Sequence, residues 1–172
     1  MAANSPKVTN CLLGTGDSLA FIAMEQNANS LEILLRRWSQ EDVHALPPYG
    51  ESIVRSTFLE LGVDPPKDLI RLYSAIGGME VPDKNLWRLW PLSEVYGHRD
   101  ETNEFGMLFS DYLLDSWVYR LKPIDKDSTA VYVDYFDGRD AILIAETLDQ
   151  FFDKYLQNAD ELLNDRTCLD RE

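Results

Sequence analysis

After residue 28 the hydrophobic period of the chain changes twice, from helical to strand-like and back to helical, and those changes organise the reading. Residues 1–28 show no clear period and are rich in Asn, Ser, Gly and Thr, which predicts a loosely held arm with one apolar stretch, Leu19 to Met24, able to dock. From Asn29 the pattern is helical. Leu31, Leu34, Leu35 and Trp38 share a face, and Asn29 with Glu32 three residues on supplies an N-cap. Leu46-Pro47-Pro48 closes that helix. A second helix starts near Glu51, burying Ile53, Val54, Phe58 and Leu61, and Gly62 stops it. In the third, Asp64 is the expected cap, Pro65 or Pro66 suits the first turn, and Leu69, Leu72, Tyr73 and Ile76 form the stripe. Gly77-Gly78 offers a left-handed exit.

Beyond Gly78 apolar residues recur every second position. Leu86–Trp90 reads as a short strand, followed by Pro91–Val95 as a turn and one-turn helix. Phe105–Phe109 and Trp117–Leu121 are further strands. Ala130–Phe136 alternates, with Val131, Val133 and Tyr135 on one face, and Asp137-Gly138 turns it back into Ala141–Ile144. A final helix opens on Thr147 with Gln150 as a capping box and carries Leu148, Phe151, Phe152, Tyr155, Leu156, Leu162 and Leu163. Helices, then strands joined by short links, then a helix predict an α+β domain over 29–172: a mostly antiparallel sheet with helices packed on one face.

Composition narrows the function classes. Hydrophobic residues make up 45% of the 172 positions, enough for a core, yet no run approaches the ~18 apolar residues of a membrane span. Thr15-Gly16-Asp17 interrupts the stretch that a signal peptide would need, so the expectation is a cytoplasmic protein. Cys11 and Cys168, at opposite ends, read as two reduced thiols. The net charge is −14, and most of the acidic excess lies beyond residue 45. Such a field repels nucleic acid and anionic membranes and attracts a basic protein; the plainer alternative is that it serves solubility.

The search for chemistry returns little. Gly14-Thr15-Gly16 lacks the lysine of a phosphate loop, and no zinc-protease or paired-cysteine spacing occurs. His44 sits beside Glu41 and Asp42 at a helix end, with no nucleophile suggested nearby. His98 is followed by Asp100, Glu101 and Glu104, ligand types for a divalent ion, but on a hydrophilic loop that collects such residues anyway. Asp111 with Asp115, and Asp134 with Asp137 and Asp140, flank turns; acid–base work would require one of them in an apolar pocket. Neither a catalytic group, a metal site nor a cofactor is assigned. Of the tryptophans, Trp38 belongs to a helix stripe, one of Trp87 and Trp90 is expected to be partly exposed, and Trp117 follows an acidic turn, the setting of a protein-binding anchor; core packing is the plainer reading for any one of them.

Several ordered pieces resemble one family. Phe58-Leu59-Glu60-Leu61-Gly62-Val63-Asp64-Pro65-Pro66-Lys67-Asp68-Leu69, then Leu72-Tyr73-Ser74-Ala75-Ile76-Gly77-Gly78, Trp90-Pro91-Leu92-Ser93-Glu94-Val95, the Val131–Ile144 hairpin and Ile144-Ala145-Glu146-Thr147-Leu148-Asp149-Gln150-Phe151-Phe152 follow the order of the SUKH superfamily, which includes Smi/Knr-type regulators of cell-wall synthesis. The resemblance covers roughly Leu46 to Leu156. It implies a protein-binding domain without catalytic residues; most bacterial members are thought to be immunity proteins against secreted toxins, many of them nucleases. With the charge, it leads to the expectation of a cytoplasmic immunity or adaptor protein that blocks a basic cognate toxin, its carboxylates standing where phosphate would in a nuclease groove. Glu80, Asp83, Glu101, Glu104, Asp111, Asp115 and Trp117, in or beside the loops between strands, are the expected partner-binding residues. The alternatives are a regulatory scaffold of the same fold that binds another protein or a small ligand, and a carboxylate-dependent hydrolase.

Overall fold

A computed structural model describes residues 29–164. Within them the chain forms α1 (Ser30–Gln40), α2 (Glu51–Glu60), α3 (Lys67–Ala75), β1 (Trp87–Leu89), α4 (Leu92–Gly97), a 3-10 turn (Arg99–Glu101), β2 (Met107–Tyr112), β3 (Trp117–Pro123), β4 (Thr129–Asp134), β5 (Ile142–Ala145) and α5 (Leu148–Asn164). This is the α+β order that the change of period predicts. The expected arm at 1–28, Cys11 and Cys168 lie outside the described residues. No described helix is long and apolar enough to cross a membrane.

Local chemistry sets most helix ends. Asn29 Oδ1 accepts the Glu32 N–H at 3.0 Å, as an N-cap does. Before α5, Thr147 Oγ1 accepts the Gln150 N–H at 3.1 Å, and Gln150 Oε1 reaches back to the Glu146 N–H at 2.6 Å. The expected cap of α3 is a correction. Pro66, not Asp64, precedes the helix and offers no side-chain bond. The N–H groups of Lys67 and Asp68 donate instead to the carbonyls of Lys126 and Asp127, and buried Asp68 accepts from the Thr129 N–H (2.8 Å) and hydroxyl (2.7 Å). The β3–β4 turn thus satisfies donors that a capping side chain would have taken.

Two other expectations shift. The helix α1 stops at Gln40, ahead of Leu46-Pro47-Pro48, with Asp42 in a left-handed conformation just after it. Ile53 is exposed, so α2 buries Val54 and Phe58 alone. The exit of α3 is extended at Ile76 and takes the positive φ expected of it at Gly78 (φ 118°), and both glycines are also needed for room: a Cβ on Gly77 would lie 2.0 Å from the Pro47 carbonyl oxygen, and one on Gly78 2.7 Å from the Pro91 nitrogen.

The strands lie in the order β1-β2-β3-β4-β5, every neighbouring pair antiparallel. Cross-strand partners share a face. Trp87, Leu89, Tyr112, Ser110, Trp117, Tyr119, Leu121, Val131 and Val133 therefore point one way. There α1, α3 and α5 close the core, with Trp38 stacked on Trp87 at 5.8 Å and Phe151 against Trp87, Phe109 and Tyr119. Arg88, Asp111, Val118, Arg120 and Asp134 point the other way. The short α4 and the 3-10 turn fold over that face at its β1–β2 end, through Arg88–Glu94 and Arg120–Glu101 contacts. Both Trp87 and Trp90 are buried, correcting the expectation that one is partly exposed: β1 is sandwiched between the helical core and α4.

Candidate partner-binding surface

The seven residues expected to meet a partner separate by burial. Glu80, Glu101, Glu104 and Asp115 are exposed; Asp83, Asp111 and Trp117 are buried. The last three are corrections, each with its own cause.

Asp83 is a hub between elements. Its Oδ2 accepts from Trp38 Nε1 of α1 (2.9 Å) and from the Tyr155 hydroxyl of α5, and its Oδ1 from the N–H groups of Asn85 (2.9 Å) and Trp87 (3.3 Å). Burial, and then the neighbouring Asp83 carboxylate, push the Tyr155 phenol above its usual range, so it stays a donor. Asp111 lies opposite Arg88 and Val118 in the middle strands. Its Oδ2 accepts from Arg88 Nε at 2.8 Å and from Trp90 Nε1, while Glu94 takes the rest of the Arg88 fork at 2.7 and 3.0 Å. Burial opposes the charge of Arg88, yet Glu94 and Asp111 together hold it more firmly protonated than usual. Trp117 is sandwiched by its strand neighbours, stacked on Tyr112 at 4.6 Å and edge-on to Tyr135 at 5.4 Å, and its N–H donates to the Tyr119 hydroxyl.

Several of the other titratable candidates are held by ion pairs or hydrogen bonds. His98 Nδ1 sits 2.7 Å from Glu101 and its ring lies 4.7 Å from that of Trp90; among the described residues no set of three His, Cys, Asp or Glu side chains gathers to hold a metal ion. His44 is 4.0 Å from Glu80. Asp134 bonds Arg120 at 2.8 Å, and Arg120 also donates to the carbonyls of Glu101 and Gly106, pinning the 98–106 loop to β3. Asp137 is held below its usual range by Arg139, 2.6 Å away. Asp68 is the carboxylate that burial raises, and both of its oxygens are occupied by Thr129.

Around exposed Asp115 the structure assembles a feature that the residue patterns do not announce. Leu113, Leu114 and Asp115, the tip of the β2–β3 hairpin, are consecutive left-handed residues at φ 51°, 52° and 66°. Leu86, entering β1, and Phe136, leaving β4, are left-handed too, at φ 65° and 54°. None is glycine, and a left-handed conformation costs an L-residue about 1–2 kcal/mol. Leu114 is 76% exposed, Phe136 54%, Leu86 45% and Leu113 41%. The register places all of them at one end of the sheet: Leu113 N–H donates to the Leu86 carbonyl at 3.0 Å, and Val118 pairs with Asp134 two residues before Phe136. With strands ~4.8 Å apart, the step from β1 to β4 spans about 15 Å. Beneath lie the packed rings of Tyr112, Trp117 and Tyr135. Comparison with family models, with curated proteins and with solved structures gave no match to this chain.

Proposed function

We propose that this chain is a cytoplasmic protein-binding domain of SUKH type that docks on a basic cognate partner, a toxin in the immunity reading, and blocks it sterically. The observation that carries the proposal is a net charge of −14 on a chain that presents to solvent Glu80 ahead of β1, Glu101 and Glu104 between β1 and β2, and Asp115 between β2 and β3. Carboxylates in that setting speed encounter with a basic surface and reject other acidic proteins. The SUKH resemblance supports the same reading, because the family's work is binding. The test is an affinity capture from the native host with the complex then titrated with salt. One stoichiometric basic partner whose association slows with salt and with the quadruple charge reversal of Glu80, Glu101, Glu104 and Asp115 supports it; a partner that binds equally well to that variant refutes the acidic mechanism.

One observation favours the scaffold alternative. An open cleft of about 340 Å³ between α2 and α4 is lined by Tyr49, Ile53, Thr57, Leu92 and Tyr96. Two tyrosines beside aliphatic groups suit a small amphipathic ligand. A fragment screen read by shifts at Tyr49 and Tyr96 tests it, and no response at either tyrosine removes this reading.

A further inference from the structure

We propose that the docking face is the loop end of the sheet, with Leu114 and Phe136 as apolar plugs and Leu86 and Leu113 beside them, and that its occupant is a basic protein presenting a hydrophobic socket rimmed by Lys or Arg. The inference rests on the reading of the chain as an acidic binding domain and specifies where and how it binds.

Three observations converge. Four large apolar side chains protrude at one end of the molecule, spread across about 15 Å, the width of a compact protein-binding patch rather than of a small-ligand pocket. Each is held in a left-handed backbone, where glycine or asparagine is the strain-free choice, so the fold tolerates strain to present leucine and phenylalanine to solvent. The base is tied by packing and hydrogen bonds. Trp117 is packed between Tyr112 and Tyr135, and the Asp83 hub fixes the 83–87 loop while Leu86 in turn receives the Leu113 N–H. Presentation of apolar groups on a pre-ordered base keeps the ordering cost of binding low.

Charge selects the partner's rim. Asp115, Asp137 and Asp140 are exposed around the plugs; Arg139 answers Asp137, which leaves the rim acidic. A partner must then combine an apolar socket with surrounding cations. This corrects the idea of Trp117 as the anchor: the tryptophan supports the anchors from below.

The test uses a phage-displayed random dodecapeptide library selected on the full chain. Selected peptides are then measured by titration against the wild type, Leu114→Gly, Leu114→Ala, Phe136→Gly and Asp115→Lys. The expected peptides join bulky apolar residues to Lys or Arg, weaken at least tenfold on each leucine or phenylalanine variant, and weaken with salt on the wild type. Loss on Leu114→Gly is not a folding artefact if that variant melts no lower than Leu114→Ala. Basic peptides that ignore the apolar variants overturn this docking face but leave the acidic-binder reading standing. Peptides that need Leu114 yet carry no cation and ignore salt place the face correctly and refute the basic partner. No enrichment over an unrelated acidic protein overturns the docking face itself.

Discussion

Leu114→Gly and Leu114→Ala form a pair whose order of stability measures whether the hairpin tip is strained. Both variants delete the same side chain, and since Leu114 is 76% exposed, the burial they forfeit is small and common to both. They differ only in backbone. At an ordinary position glycine is the worse residue by roughly 0.5–1 kcal/mol, because it loses more freedom on folding. At φ 52° alanine carries the left-handed cost of about 1–2 kcal/mol that glycine escapes. The difference leaves Leu114→Gly more stable than Leu114→Ala by about 0.5–1 kcal/mol, worth about 1–4 °C in a domain of this size. Urea unfolding with a shared m-value measures it. The ordinary order, alanine above glycine, would show that residue 114 is not left-handed in solution and would remove strain from the case for a docking face. A gain in stability combined with a loss of binding is the signature of a loop shaped for contact at the expense of its own comfort.

Other outcomes follow from the buried polar contacts. Arg120→Met strands the largely buried Asp134 and frees two loop carbonyls, so a loss of about 3–5 kcal/mol is expected in urea unfolding; adding Asp134→Leu should restore part of it, and no restoration would show that the carbonyl contacts, not the ion pair, dominate. Gly106→Ala sets a Cβ 2.0 Å from the Leu121 carbonyl oxygen at φ 105°, with an expected cost of roughly 3 kcal/mol or more and exposure of the 98–106 loop to proteolysis. Asp68 tests burial against hydrogen bonding. Burial outweighs the Thr129 donors and raises its pKa, so the folded form binds the proton more tightly than the unfolded chain. Its contribution is then greatest in acid and declines as pH rises through 3.8 towards the raised folded value, so the stability advantage of the wild type over Asp68→Asn should narrow on that climb. Chemical denaturation across the carboxylate range reads the sign, and a widening gap refutes it.

The parts of the fold legible in the sequence were those decided within a few residues. Asn29 caps because Glu32 lies one turn on; the Thr147–Gln150 pair works the same way, and alternation at Val131 and Val133 is enough to define β4. What escaped depends on residues far apart in the chain. Asp64 looked like a cap because nothing near it shows that Lys126 and Asp127 will supply acceptors for the start of α3. Asp111 read as a loop carboxylate because it flanks a turn, whereas β2 runs to Tyr112 and its register sets Asp111 opposite Arg88. Trp117 read as a candidate binding anchor because acids precede it; the two tyrosines that enclose it come from neighbouring strands.

The hairpin tip shows a different kind of failure, and a more informative one. Turns at φ > 0 are ordinarily marked by glycine, asparagine or aspartate, because those residues adopt the conformation at little cost. Asp137-Gly138 obeys that rule, and Gly138 stands at φ 85°. Leu113-Leu114-Asp115-Ser116 breaks it twice, and Leu86 and Phe136 break it again on adjoining strands. A domain gains nothing in folding from large apolar side chains that point to water from strained backbone. Local rules broken repeatedly in one place, above the packed rings of Tyr112, Trp117 and Tyr135, are the ground for proposing this end of the sheet as the contact surface. The acidic carboxylates then have a defined task. On the proposed reading they would bring a basic partner close and exclude acidic ones, while the apolar plugs would decide whether it stays.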